Sequence, residues 1–557
     1  MIDTLREENF IERLRAKDAS LWSSDPQVQA LISNRLGWVD VHTQMLERLD
    51  ELTEFVDWVQ ENHFQWVVLL GMGGSSLAPE VLQRTFGSRA GYPELIVLDT
   101  TDPESILRVE NRINVIHTLF IVSSKSGTTV ETASLHRYFA ERMQDATGDT
   151  GTLSNFVAVT DPGTVLQRQA EDEAFHHPFL NPPDIGGRYS ALSMFGLVPA
   201  AAIGMDVERL LRSADTLDWD EALELGARLG SLALEGRDKA TFLAAEGRES
   251  FGAWAEQLLA ESTGKQGHGV IPIDLEPAGP PQVYGDDRAF VYLDAGRQSD
   301  ELDSTVQGLE EAGHPILTTS MTDGYDLGRE FLRWEVATAV IGAVLKINPF
   351  DEPNVQESKD NTRIVLDQYL RSGELPSVDA TAVDDGVSLY LEGDTRSKLA
   401  GVGDEVDEIT AAYLEQAAPP HYVAIMAYIA RTEEHDRLLT RLRKAIRDAT
   451  RAATTVGYGP RFLHSTGQLH KGGPATGIFF QITCEDPVDI DIPASKFSFS
   501  ILKQAQALGD LDSLQSRKRP VIRAHLGEDV TDSLRRLVDG IEAKISPKSA
   551  PRKATVE

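Results

Sequence analysis

From residue 64 onward, short apolar runs alternate with loops rich in glycine or hydroxyls and then with amphipathic stretches. The first set of runs covers residues 64–70, 95–99, 119–123 and 156–160, and the second covers 240–245, 269–273, 290–293 and 315–319. Apolar stretches of helical period at about 327–346 and 355–370 close the second set. Regular βα alternation predicts parallel sheets with helices on both faces. Ligands of such sheets gather outside the carboxyl ends of the strands. That directs attention to the loops at Gly71 and Ser124.

A chain of 557 residues exceeds what one hydrophobic core serves, so several domains are expected. The pattern divides it into a helical segment (1–53), two α/β domains (54–215 and 216–372), an acidic connector (373–420) with one helix near 405–416, a C-terminal α/β domain (421–545) and a disordered tail (546–557). In the C-terminal domain the expected strands are 422–428, 478–483 and 521–524.

With 87 acidic against 53 basic residues, the net charge of −34 repels nucleic acid and anionic membranes. A phosphorylated ligand therefore needs locally concentrated cations, which makes Lys125, Arg188, Lys265 and Lys359 worth following. The apolar runs are too short to span a bilayer. No signal peptide is visible at the N-terminus. Cys484 is the only cysteine, so neither an intrachain disulfide nor a cysteine-rich metal site is available. A cytoplasmic protein is expected.

Four stretches carry chemistry. Residues 122–132 (VSSKSGTTVET) follow an apolar strand and precede a helix. Thr128 and Glu131 are spaced as a capping box, so free backbone N–H groups and hydroxyls at the helix start suit a phosphate monoester. Gly71-x-Gly73-Gly74-Ser75-Ser76 approximates a dinucleotide fingerprint, with Asp99 ending the next strand. Its third glycine is missing, and the alternative is a close backbone approach to a sugar phosphate with Ser75 hydrogen-bonding it. Gly186-Gly187-Arg188-Tyr189-Ser190 brings a guanidinium close to a ligand, where it can stabilise an oxyanion. Two glutamates can serve as general base: Glu261, just after an expected helix 250–260, and Glu276, just past a strand. The second is favoured because it stands at a strand's carboxyl end.

Taken together, residues 124–132, 186–190, 261–265 (ESTGK) and 348–359 (NPFDEPNVQESK), occurring in that order, resemble the glucose-6-phosphate isomerase family. The resemblance spans residues 64–359. Residues 457–473 look like the isomerase half of bacterial transaldolase/glucose-6-phosphate isomerase fusions. The chain itself reads as a free-standing isomerase, with no room before residue 64 for a transaldolase barrel. The fold implied is α/β: two doubly wound parallel-sheet domains of sugar-isomerase (SIS) type plus the third α/β segment.

The resemblance implies a phosphate site of Ser124, Ser126, Thr129 and Thr132, assisted by Lys125, Gly74 and Ser75. It implies Arg188 and the Gly187 backbone at the sugar C1–C2 region, and Lys359 near the ring oxygen or hydroxyls. Glu276 is the preferred base and Glu261 the reserve, acting through a cis-enediol(ate). A homodimer acting on a sugar phosphate, with no redox cofactor and no metal, is expected. Glu352 stands where the family carries glutamine. In relatives a histidine from the partner subunit opens the sugar ring; here His314, His464 and His470 are the candidates. The rival readings are a sugar-phosphate-binding SIS regulator, an isomerase that also accepts mannose 6-phosphate, and a dinucleotide-dependent oxidoreductase.

Overall fold

The computed structural model describes all residues except 149–152, 298, 385 and 546–557. The expected disordered tail lies outside the described residues.

Three sheets organise the chain. The first is β1 (Trp66–Gly71), β2 (Glu94–Leu98), β3 (Thr118–Ser123), β4 (Phe156–Thr160) and β5 (His177–Leu180), in the order β2-β1-β3-β4-β5 and parallel throughout. Its central strands are buried along nearly their whole length, as unbroken apolar runs such as Val67-Val68-Leu69-Leu70 require when helices cover both faces. The second sheet, again parallel, contains β6 (Lys239–Ala244), β7 (Ile271–Ile273), β8 (Arg288–Asp294) and β9 (Ile316–Ser320), in the order β7-β6-β8-β9.

The third sheet adds β10 (Ala382–Asp384), β11 (Val387–Tyr390), β12 (Tyr422–Tyr428), β13 (Ala453–Tyr458), β14 (Gly477–Cys484) and β15 (Val521–Leu526), in the order β10-β11-β15-β14-β12-β13. Four of its strands are parallel, and the β10–β11 hairpin joins antiparallel to β15. That hairpin lies in residues expected to form an acidic connector. Its apolar positions, Val387 and Leu389, alternate with polar ones, and only one face is buried. β5 and β13 are likewise absent from the sequence reading. Pro178 weakens the first as a strand, and the Thr-Thr-Val-Gly run of the second has little apolar length.

The C-terminal segment is fastened to the first sheet's domain by charge and to the helix after the second by packing. Arg461 bonds Glu80 and lies 3.3 Å from Asp99, while Lys503 donates to Asp102 at 2.7 Å and bonds Asp486. The helix Phe499–Ser516 lies along the helix Val355–Ser372, where Asn361 donates to Ser513 Oγ at 2.9 Å. Residues far apart in sequence thereby meet at the carboxyl ends of the first two sheets.

Candidate active site

The first wall is the loop between β3 and the helix Val130–Thr147. Ser124 Oγ lies 3.1 Å from Thr129 Oγ1 and accepts from Gly127 N at 3.1 Å; Ser126 Oγ lies 2.9 Å from Thr128 Oγ1. Gly127 has φ +69°, and a Cβ there would fall 2.6 Å from Leu166 N, so only glycine closes this turn. Lys125 bonds Asp161 and donates to Pro183 O at 3.0 Å. The expected capping box does not form. Thr129 is the N-cap and makes no side-chain cap bond, and Glu131 turns inward instead. Thr132 is buried behind the loop.

The second wall is made by two glycine loops in contact. A Cβ on Gly74 would sit 1.9 Å from Gly187 O, so the loop after β1 and the loop bearing Arg188 touch backbone to backbone. Ser75 is buried there. The neighbouring Ser76 donates to Asp99 at 2.9 Å, and Arg461 also faces that carboxylate. Asp99 is thus spent internally, whereas a dinucleotide site needs such a carboxylate free for a ribose hydroxyl.

Arg188 is the hub, 2% exposed. Its Nε donates to Ser262 Oγ at 2.7 Å, Nη2 to the carbonyls of Pro349 (2.8 Å) and Asp351 (3.0 Å), and Nη1 to Glu352 at 3.0 Å. The same Nη1 lies 3.5 Å from Glu261. Lys265 secures the 348–352 loop from behind, donating to Asn348 O at 2.9 Å and Asp351 Oδ1 at 2.8 Å. Burial brings the Lys265 ammonium down to about 8.

Glu261 lies inside the helix Phe251–Thr263, not after it. One helical turn earlier, Gln257 Nε2 donates to Glu261 Oε2 at 3.2 Å and to His464 O at 2.7 Å. Burial pushes the Glu261 carboxyl above its ordinary value; Arg188 opposes this and the Glu352 charge adds to it. For Glu352 burial acts in the same sense, but Arg188 beside it holds its carboxyl below the ordinary value.

His464 comes from the C-terminal segment. Its Nε2 lies 2.9 Å from Glu131 Oε1, which also accepts from Gln506 Nε2 at 2.6 Å. Thr101 orients that amide by donating to Gln506 Oε1 at 2.8 Å. Thr128, Thr129, Glu131, Lys359, His464 and Gln506 line one cavity of about 280 Å³. Lys359 is exposed on its helix and forms no ion pair among the described residues.

Other nominated residues stand elsewhere. Glu276 accepts from Thr454 N (2.9 Å) and Thr454 Oγ1 (2.8 Å) and pairs with the fully buried Arg288 at 3.0 Å. Burial alone would raise its carboxyl, but Arg288 and Arg443 hold it below the ordinary value. His314 is buried at the start of β9 against Phe290. His470 is buried between Phe462 and Phe479, and burial pushes its imidazole far below its ordinary value. Gln257, Gln506, Thr101 and the inward Glu131 are absent from the sequence reading as site residues. Only Gln257 carries a local signal, its i, i−4 spacing from Glu261.

Among known proteins, the sequence model of the phosphoglucose isomerase family matches residues 33–223. A probable glucose-6-phosphate isomerase of Haloarcula marismortui is 30% identical over 375 residues, covering 59% of this chain and 83% of the relative. The glucose-6-phosphate isomerase of Rubrobacter xylanophilus is 29% identical over 406 residues, covering 63% and 91%. Among solved structures, a hypothetical protein of Thermus thermophilus superposes with a TM-score of 0.55 at 26% identity, covering 65% of this chain and 95% of that one. With this extent of likeness, and with glycine loops, arginine hub and glutamate helix built as described, the chain belongs to the glucose-6-phosphate isomerase family of enzymes.

Proposed function

We propose that the protein interconverts glucose 6-phosphate and fructose 6-phosphate, with Glu261 as the base that carries a proton between C2 and C1. The observation that supports this most is the Glu261–Arg188 pair: a carboxylate whose side chain is 12% exposed, raised in pKa and 3.5 Å from a fixed guanidinium. A carbon-bound proton needs a base of raised pKa, and the enediolate that forms needs a cation already in place. Arg188 has no freedom to leave, because Ser262, Pro349 and Asp351 hold the rest of its fork.

In this reading the hydroxyls of Ser124, Ser126, Thr128 and Thr129 anchor the phosphate. Lys359 adds the local cation that a chain of net charge −34 requires. His464, oriented by Glu131, exchanges the proton that opens the sugar ring. Glu276 becomes a structural carboxylate. Such an enzyme serves glycolysis and gluconeogenesis. A cytoplasmic setting is part of the proposal; among the described residues no helix is long and apolar enough to cross a membrane.

A homodimer is part of the proposal, yet every group named belongs to one chain. Mixed and refolded Glu261→Gln and His464→Ala chains therefore stay inactive; recovery of about a quarter of the wild-type rate would mean that the site is shared between subunits. The proposal is tested by a coupled assay with fructose 6-phosphate on Glu261→Gln and Glu276→Gln. Loss of turnover in the first with turnover kept in the second supports it, and the reverse refutes it. A purely regulatory SIS protein has no need of the Glu261–Arg188 pair and would show no turnover at all.

A further inference from the structure

The strongly acidic chain spends most of its inward-facing cations on carboxylates: Lys125 on Asp161, Lys265 on Asp351, Lys471 on Asp510 and Lys503 on Asp102. One cavity in the C-terminal segment departs from this. It measures about 590 Å³ and opens at the amino ends of β12, β14 and β15, the opposite end of that sheet from the residues bearing His464. Lys398, Lys518 and Arg519 line it, and none of the three has a carboxylate partner among the described residues.

Arg519 is the fixed member. Its fork donates to the carbonyls of Lys471 (3.1 Å), Gly473 (2.6 Å) and Pro474 (3.0 Å), while its buried Nε has no partner. Burial accordingly moves its guanidinium below the ordinary value, with repulsion from Arg517 adding to the effect. An uncompensated cation of this kind in a chain of charge −34 invites an anion.

The rest of the lining narrows the anion's chemistry. Glu392 and Asp394 supply acceptors for hydroxyl groups, and Gln416 and Gln515 both donate and accept. Tyr413 is 1% exposed and its hydroxyl is committed to Phe479 O at 3.0 Å, so it contributes neither a ring face nor a free hydroxyl to a ligand. We infer that this cavity is a second binding site, separate from the isomerase pocket, for a phosphorylated polyol whose phosphate meets Lys398, Lys518 and Arg519 and whose hydroxyls meet Glu392 and Asp394.

Calorimetric titration of the full chain with sorbitol 6-phosphate tests it. Wild type takes up two equivalents per chain. The Lys398→Gln/Lys518→Gln double variant, altered only at exposed lysines, takes up one and keeps its turnover of fructose 6-phosphate. Affinity at the second site falls roughly a hundredfold, about tenfold per cation removed. Inorganic phosphate binds there about tenfold more weakly than the ester, lacking the hydroxyl contacts. A single equivalent in wild type overturns the inference, as do two equivalents of unchanged affinity in the double variant. Equal affinity for inorganic phosphate overturns the assignment to an organic ester.

Discussion

Two glutamates, each beside an arginine, behave in opposite ways: the Glu276 side chain is fully buried and that of Glu261 is 12% exposed. Glu276 receives a backbone N–H, a threonine hydroxyl and the Arg288 guanidinium, and its carboxyl is held low. Glu261 receives one long bond from Gln257 and shares an arginine nitrogen with Glu352 at 3.5 Å, and its carboxyl is raised. Burial raises both carboxyls, and the difference lies in the donors and cations that oppose it. A carboxylate with three donors on Oε1 and a buried guanidinium 3.0 Å from Oε2 is held ionised in place. One left short of donors, next to a cation committed elsewhere, is poised to take a proton.

The contrast breaks most sharply under amide substitution. Glu261→Gln removes the proposed base and is expected to lower kcat about 10²–10⁴-fold with little change in Tm. Glu276→Gln leaves Arg288 buried without its counter-charge, at a cost of about 3–5 kcal/mol seen as a fall in urea midpoint, while turnover per folded molecule stays near wild type. The wild-type contribution from Glu276 also depends on pH. Because its folded pKa is depressed, the stabilisation is fully present above the ordinary 4.5 and disappears as pH drops through the lower folded value. In Glu276→Gln that acid-sensitive part of the urea midpoint is absent.

Smaller effects sharpen the same comparison. Arg188→Lys keeps the charge but loses the fork, and kcat is expected to fall about 10²-fold. In wild type the acid limb of kcat/KM follows deprotonation of Glu261 and so lies above pH 4.5, the ordinary carboxyl value. Glu352→Gln removes a negative neighbour that raises Glu261, so this limb shifts toward lower pH. The KM for the anionic substrate falls a few-fold as well.

Much of this architecture is legible in the sequence because it is written locally. The runs at 66–70, 119–123 and 422–428 are apolar enough to be strands buried on both faces, and the glycine at 74 signals a close approach, which in the fold is made to Gly187 O. Glu131 shows where local reading ends. Its spacing from Thr128 suits a cap, but His464 and Gln506, more than three hundred residues away, hold the carboxylate. The surroundings of Glu276 are likewise not local. Its place past β7 matches the rule for ligands, yet Thr454 and Arg288 seal it off, and neither has any sequence relation to it. The hairpin β10–β11 is hidden because its partner β15 lies far downstream and each of its strands is only three or four residues long.

The most direct test is deuterium exchange in D₂O, following the label at C1 and C2 of the hexose phosphates by NMR. With Glu261 as the shuttling base, wild type and Glu276→Gln incorporate solvent deuterium during isomerisation, and Glu261→Gln neither isomerises nor exchanges. Exchange that persists in Glu261→Gln, or is lost in a folded Glu276→Gln, contradicts the account.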